Sequence, residues 1–467
     1  MHSSKLIIMT KPAESFLTRT LKEKPWGIKI ARILAASLSA VDPAAAVDRA
    51  LQRDGNILSV AGQEIKLDVF KNVCLLSIGK AAIPMAAAAA DLISDHLSWG
   101  AVLSKSFDSG IPDIYQEKIE LYQGDHPIPG QNSLKSTEEI FSLFSSQTSN
   151  DLVITLISGG GSALFTFPPP GISLKDIQQA SQIFLERGLD IQEINTIRKH
   201  ISRIKGGQLA DHLYPASTIT LILSDVIGDP IDMIASGPTV PDRSTFGDAL
   251  AVIRKYQLEE CLPTSINTHL KAGAAGKIPD TPKTGDRIFQ GQINLVIGGI
   301  HDAINGALRQ AQKEGYTSQI SPDRLEGEAK LAGERLAKTL CQSTAAEYQG
   351  ANCLIIGGET TVTLTGSVKP GRGGRNLELA LSAVRHMAGR NNLALITLAT
   401  DGEDGVTDAA GAVVTGETLA RAEDLGLDPD DFLARHDSYT FFKALDDLLI
   451  PGPTGTNVND LCFLFHF

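Results

Sequence analysis

Glycine clusters, lone cations beside them and carboxylates just past apolar runs recur along this 467-residue chain, the residue types that oxyanion chemistry needs. Residues 152–164, LVITLISGGGSAL, begin as a short apolar run of the kind buried on both faces and break at Ser158-Gly159-Gly160-Gly161-Ser162. A turn without Cβ atoms lets backbone N–H groups approach a bulky anion, so this is a candidate phosphate cradle; a glycine loop without a ligand is the competing reading. Gly371-Arg372-Gly373-Gly374-Arg375-Asn376 puts two forked donors on a glycine loop at a helix start, the most specific local signal in the chain. Lys80 follows the apolar run 73–78 at a strand-to-helix junction, where helix N–H groups favour anions. Residues 193–207 concentrate Arg198, Lys199, His200, Arg203 and Lys205 ahead of Gly206-Gly207. Arg198 and Lys205 stand seven apart, as do Ile194 and Ile201, so one helix with a basic and an apolar face is expected. Asp225 lies directly beyond the run 219–223, on the edge where α/β sheets bind ligands; it can hold Mg²⁺ or cap the next helix. Ser236-Gly237-Pro238-Thr239 is a small-residue turn able to approach a nucleotide, and Asp401 sits in a loop that follows the run 395–399.

Familiar alternatives fail on spacing. Neither Gly79-Lys80 nor Gly276-Lys277 has the glycine upstream or the Ser/Thr downstream of a Walker A loop. Leu164 occupies the third glycine position of a GxGxxG fingerprint, and Ser162 misses the GxSxG elbow. Histidines and cysteines form no cluster with zinc spacing. Cations, amide cradles and strand-end carboxylates together are the kit of phosphoryl transfer, so a kinase is the leading reading.

The net charge of −12 and pI near 5.4 argue against a generic nucleic-acid or anionic-membrane surface. Five scattered cysteines without CxxC spacing fit a reducing, cytoplasmic setting. No apolar segment has bilayer-spanning length, and 6–9 is too short for a signal-peptide core.

These residues must be positioned by alternating strands and helices. Apolar runs at 73–78, 101–104, 119–122, 152–157 and 219–223 alternate with helical patterns, which implies parallel strands and crossover helices. Residues 30–41 and 44–53 are expected as helices on that sheet. The Pro-, Gly- and Lys-rich stretch 263–291 is expected to hold a domain boundary, with a second strand-helix series opening at 293–297 and closing on a buried strand at 461–465.

The motifs IGKAA (with Lys80), GDHPIPG, ISGGGSAL, INTIRKHISRIKGGQLA, SDVIGDP with IASGPT, GGETTVT, GRGGRN, ATDGEDGVTDAAG and GPTGTNVNDL stand in the order found in the glycerate 2-kinases. The chain resembles that two-domain family, whose C-terminal part is the MOFRL domain, over about residues 31–464. Leu377 departs from the usual GGRNQE, and Gly130 replaces a more usual acidic residue. The resemblance implies an α/β protein: a three-layer α/β/α, Rossmann-like N-terminal domain with a parallel sheet, a C-terminal α/β domain with a mixed sheet, and an active site in the cleft between them. The corresponding boundaries are an N-terminal extension 1–29, then domains 30–285 and 286–467. It implies ATP- and Mg²⁺-dependent phosphorylation of the 2-hydroxyl of D-glycerate. Lys80, Arg375 and Asp401 match the family's catalytic lysine, arginine and acid. Gly159, Gly160, Gly161, Ser162, Lys205, Asp225, Ser236 and Gly237 are the candidate nucleotide site; Lys80, Arg198, Arg372 and Arg375 the substrate ligands; Asp225 and Asp401 the metal ligands. Partners are then small molecules, with neither nucleic acid nor membrane, for a monomer or homodimer. An NAD(P)-dependent hydroxypyruvate reductase, a kinase for another small hydroxy acid and a non-catalytic sensor of phosphorylated metabolites are the alternatives.

Overall fold

A computed structural model describes residues 11–107, 111–342, 350–364 and 370–467. Contacts divide these into two units, Pro43–Ile297 and a second formed by 11–42 with Gly298–Phe467.

The first unit opens with an antiparallel meander of β1 (Leu51–Asp54), β2 (Ile57–Val60) and β3 (Gln63–Lys66). Its main sheet runs β6-β5-β4-β7-β8-β9, from β4 (Asn72–Ile78), β5 (Leu97–Ser104), β6 (Ile119–Gln123), β7 (Asp151–Ile157), β8 (Ser217–Leu223) and β9 (Ile293–Gly298). Pairings among the first five are all parallel. Strand β7 is buried along its whole length, the reason its sequence beyond Asp151 is apolar but for Thr155 rather than alternating. Cys74, Leu76 and Val153 face a core shared with Ile140, Phe144, Leu209 and Leu213. On the other face the Ser77 hydroxyl donates to the Ala82 carbonyl of the alanine-rich helix Ala82–Leu92, giving three layers. A separate helical core joins helices Leu174–Glu186, Ile191–His200, Phe246–Lys255 and Thr264–Ala274 through Phe184, Ile197, Phe246, Ile253 and Leu270.

The second unit carries a mixed sheet, β10-β11-β15-β12-β13-β14, from β10 (Ser318–Ile320), β11 (Cys353–Gly358), β12 (Leu393–Ala399), β13 (Gly411–Thr415), β14 (Leu448–Leu449) and β15 (Asp460–His466). Only β10–β11 is parallel. The last strand of the chain is inserted between β11 and β12 and runs against both, so Asp460 is level with Gly358 and Ala399. One antiparallel insertion thereby brings the start of β15 to the ends of two other strands. Helix Arg375–Met387 packs on this sheet through Leu377, Ala380, Leu381 and Val384.

Four sequence expectations differ from the structure, and the first is the helix expected at 44–53, which spans Pro43–Ala50 because Leu51–Arg53 enter β1 and pair with β2. The helix expected at 30–41 spans Gly27–Ala40 and belongs to the second unit, where Gly306 of helix Ile300–Lys313 lets it approach: a Cβ there would lie 2.5 Å from that of Ala40. Trp26, just ahead of it, stacks on Phe467 at 4.2 Å. The strand expected to open the C-terminal series is instead β9, at the edge of the first sheet, and 263–291 contains helix Thr264–Ala274. Within 193–207, the helix stops at His200: the Ser202 hydroxyl accepts from the N–H groups of Ile204 and Lys205, and Gly206 and Gly207 turn into the left-handed region. The first ten residues of the expected N-terminal extension lie outside the described residues. Among the described residues no single helix is long and apolar enough to cross a membrane.

Candidate active site

Within the first unit, the glycine loop, the end of helix Ile191–His200 and the turn after β8 enclose a cavity of about 300 Å³. Gly160, Gly161, Ser162, Arg198, Lys205 and Asp225 line it, beside an apolar wall that includes Phe184, Ile191 and Ile201. Ending the helix at His200 is what lets Arg198 and Lys205 converge, rather than a shared helical face.

Gly159 is dictated by Asp225, whose Oδ2 would be 2.5 Å from any Cβ at that position. Gly160 takes φ 84°, beside the ring of His126. The Lys80 N–H donates to the Gly159 carbonyl at 2.9 Å, and the Ala81 N–H to the Ser158 hydroxyl at 3.0 Å, tying the β4 turn to the β7 turn. Lys80 Cγ would contact a side chain at Gly160, so Lys80 stands next to the cradle although its side chain does not line the cavity. Ser236 braces the loop from behind: its hydroxyl donates to Asn195 Oδ1 at 3.0 Å and lies 3.0 Å from that of Ser162. Ala235, Ser236 and Gly237 are three successive left-handed residues, and the Ser236 and Gly237 carbonyls accept from the N–H groups of Gly206 and Gly207.

The cavity brings Arg198 and Lys205 together with one carboxylate, that of Asp225. Among the described residues neither Arg198 nor Lys205 forms an ion pair with a carboxylate; Lys205 Nζ donates to the Phe165 carbonyl at 3.0 Å. Burial, with the Arg198 charge adding, pushes the Lys205 ammonium down to about 7, and burial alone depresses Arg198. Burial, then the charges of Lys80 and Lys105, hold His126 near 4, as neutral imidazole at physiological pH. Arg198, joined by Lys205 when an anion restores its charge, favours in this half-apolar cavity an anionic ligand with an apolar portion.

In the second unit Arg375 is the first residue of helix Arg375–Met387. Its Nε and Nη2 donate to Oδ2 and Oδ1 of Asp460 at 2.5 and 3.3 Å, and Nη1 donates to Glu359. The buried carboxylate of Asp404 accepts from the Asn376 and Leu377 N–H groups at 3.1 and 2.7 Å, capping the helix from another loop. Gly374 makes room for it, since a Cβ there would fall 2.4 Å from Asp404 Cγ. Burial raises Asp404 to about 6 and Asp460 to about 7, in the latter against the pull of Arg375. Burial works against the Arg375 charge, but Asp460 and Glu359 outweigh it and raise its pKa. Arg372 is held apart, its guanidinium 4.2 Å over the Tyr439 ring and its N–H bonded to Asp437. The Asp401 carboxylate accepts from the Glu403 N–H at 3.2 Å, and its carbonyl from the Thr454 N–H at 3.1 Å.

The sequence-derived residues thus fall into two constellations: Gly159–Ser162, Arg198, Lys205, Asp225 and Ser236 with Gly237 and neighbouring Lys80 in the first unit, Arg372, Arg375 and Asp401 in the second. Sequence reasoning did not single out Asn195, Asp460, Asp404 or Glu359. Glu359, Asp404 and Asp460 sit in glycine-rich or strand-edge motifs it did notice, but only the antiparallel insertion of β15 shows that they converge on Arg375.

An α/β unit with a parallel sheet and an α/β unit with a mixed sheet define a class, and two family descriptions match it: a domain of unknown function, DUF4147, over residues 29–271, and the MOFRL family over residues 352–460. The chain is 38% identical over 433 residues to a glycerate 2-kinase of Pyrococcus horikoshii, covering 92% of this chain and 95% of that one. It is 40% identical over 393 residues to a D-glycerate 2-kinase of Thermotoga maritima, covering 83% and 89%. A crystal structure of glycerate kinase from Thermotoga maritima superposes with a TM-score of 0.79 at 36% identity, over 93% of this chain and 98% of that one. The chain belongs to the two-domain glycerate 2-kinase family.

Proposed function

We propose that the protein is an ATP-dependent kinase that phosphorylates the 2-hydroxyl of D-glycerate, yielding 2-phosphoglycerate and ADP. The observation that carries this reading is the likeness to a D-glycerate 2-kinase across 83% of the chain, in a chain whose cavity is lined by Arg198 and Lys205, neither in an ion pair with a carboxylate among the described residues. In this reading the cavity, with Gly159, Gly160, Gly161, Ser162, Lys205, Asp225, Ser236 and Gly237, receives the nucleotide. Arg198 and Arg372 add charge toward the anionic ligands. Lys80 and Arg375 hold the glycerate carboxylate or the negative charge that develops on the transferring phosphoryl group. Asp401 accepts the proton of the 2-hydroxyl as its oxygen bonds to the γ-phosphorus and ADP leaves.

Asp225 and Asp401 suit Mg²⁺, which is bound by one or two carboxylates and completes its shell with waters and phosphate oxygens. A closed protein cage does not fit: among the described residues no three His, Cys, Asp or Glu side chains are grouped to hold a metal. Bound with nucleotide, the ion would supply charge neutralisation on the phosphates. Free cysteines at 74, 261, 341, 353 and 462 support a reducing, cytoplasmic setting. We take the enzyme to act as a monomer or homodimer on small molecules.

The discriminating experiment supplies purified protein with Mg-ATP and D-glycerate in one assay, and hydroxypyruvate with NADH or NADPH in another. Glycerate-dependent ADP formation without oxidation of either nicotinamide is expected; hydroxypyruvate-dependent oxidation without ADP would overturn the proposal.

A further inference from the structure

The Arg375 guanidinium is held on two edges of unlike character. Asp460 takes the Nε and Nη2 edge with a side chain 2% exposed, while Glu359 takes Nη1 with a side chain 42% exposed. Three of the five guanidinium N–H groups are thereby engaged. Asp460 is locked in place as the first residue of β15, between β11 and β12. Glu359 follows the last residue of β11 with its N–H bonded to the Leu325 carbonyl at 2.8 Å. Its carboxylate has no hydrogen-bond partner other than Arg375 among the described residues.

A half-exposed carboxylate on one edge of an arginine makes the same contact that a substrate carboxylate or phosphoryl oxygen would make there. The buried arm is costly to break and the exposed one weak, so the two edges are not equally exchangeable. We infer that Glu359 is an anionic placeholder, covering the Nη1 edge of Arg375 and giving way to the oxyanion that Arg375 binds, while Asp460 keeps the guanidinium oriented. This rests on the reading of Arg375 as an oxyanion ligand. Glu359 then lowers affinity for every anion at that edge and favours ligands with enough further contacts to displace it, a specificity device built from competition.

Glu359→Gln keeps the length and removes the charge; Glu359→Ala removes the carboxylate altogether. Full-length wild type and both variants are titrated by calorimetry with inorganic phosphate alone and with D-glycerate alone. The dissociation constant for at least one ligand is expected to fall about two- to fivefold in both variants, the scale of an exposed ion pair. Tightening for phosphate identifies a phosphoryl oxygen as the displacing group, and tightening for glycerate identifies the carboxylate. In turnover with a tightened glycerate, KM falls by the same factor. Unchanged, weaker or undetectable binding of both ligands in the variants overturns the inference, and marks Glu359 as a residue that only orients Arg375. Calorimetry needs no turnover, so a wild type that binds these anions without phosphorylating glycerate would count against the proposed reaction and leave the Glu359 comparison intact.

Discussion

Replacing Lys205 with methionine separates what this side chain costs the fold from what it gives the site. Lys205 is 5% exposed, its ammonium meets only the Phe165 carbonyl among described hydrogen-bond partners, and its pKa falls from 10.5 to about 7. An amine whose folded pKa lies below its unfolded pKa destabilises the native state wherever the unfolded chain holds the extra proton. The penalty is full below about pH 7, shrinks by about 1.4 kcal/mol per pH unit up to about pH 10.5, and then vanishes. It reaches about 5 kcal/mol on the acid side. Lys205→Met keeps an unbranched apolar stem and leaves the Phe165 carbonyl unpaired, an offset of about 1–3 kcal/mol that does not depend on pH. The stability difference between variant and wild type should therefore be flat below pH 7 and fall at one proton's slope above it. The two tryptophans supply the assay, because Trp99 lies in the first unit, 4.5 Å from Phe144, and Trp26 lies in the second. In a Trp26→Phe background, urea unfolding followed by Trp99 fluorescence reads the unit that carries Lys205. Inorganic phosphate should move the break in slope to higher pH by restoring a counter-charge. A stability difference that is constant between about pH 6 and pH 9.5 would refute the claim that Lys205 is a desolvated amine.

Lys80→Ala and Arg375→Ala should each lower kcat by about 10²–10³ with a smaller change in KM, because their charges serve the transition state; full turnover in both variants, by steady-state kinetics, would show that the site is misplaced. Gly374→Ala puts a Cβ 2.4 Å from Asp404 Cγ, so it should abolish most activity while the circular dichroism of the sheets is unchanged. Asp404→Ala strips two helix N–H groups of their acceptor and should destabilise the second unit by about 1–3 kcal/mol, read from unfolding followed by Trp26 in a Trp99→Phe background.

Much of the molecule was legible without coordinates, for reasons that particular residues make plain. The run at 152–157 is apolar at all positions but Thr155 because β7 is covered on both faces, and it announces both the sheet and the glycine loop that follows it. Lys80 at a strand-to-helix junction and Arg375 at a helix start were placed by local pattern, and both sit there. Non-local placement was the obscure part. Nothing in the pattern of 30–41 distinguishes a helix on one sheet from a helix on the other; the partner surface, including Gly306, lies more than 250 residues away. The basic block at 193–207 has helical spacing to its end, and only the Ser202 hydroxyl and two left-handed glycines reveal the turn that brings Lys205 back beside Arg198. Asp460 was hidden because its meeting with Arg375 depends on the last strand entering the middle of a sheet, antiparallel to both neighbours.

The most direct test of the proposed reaction is the position of the phosphoryl group in the product. Purified protein with Mg-ATP and D-glycerate is coupled to enolase, which converts 2-phosphoglycerate directly to phosphoenolpyruvate. Immediate appearance of phosphoenolpyruvate, in step with ADP, is the result predicted here. Formation of ADP with phosphoenolpyruvate appearing only after phosphoglycerate mutase is added would place the phosphoryl group on the 3-hydroxyl and contradict the account.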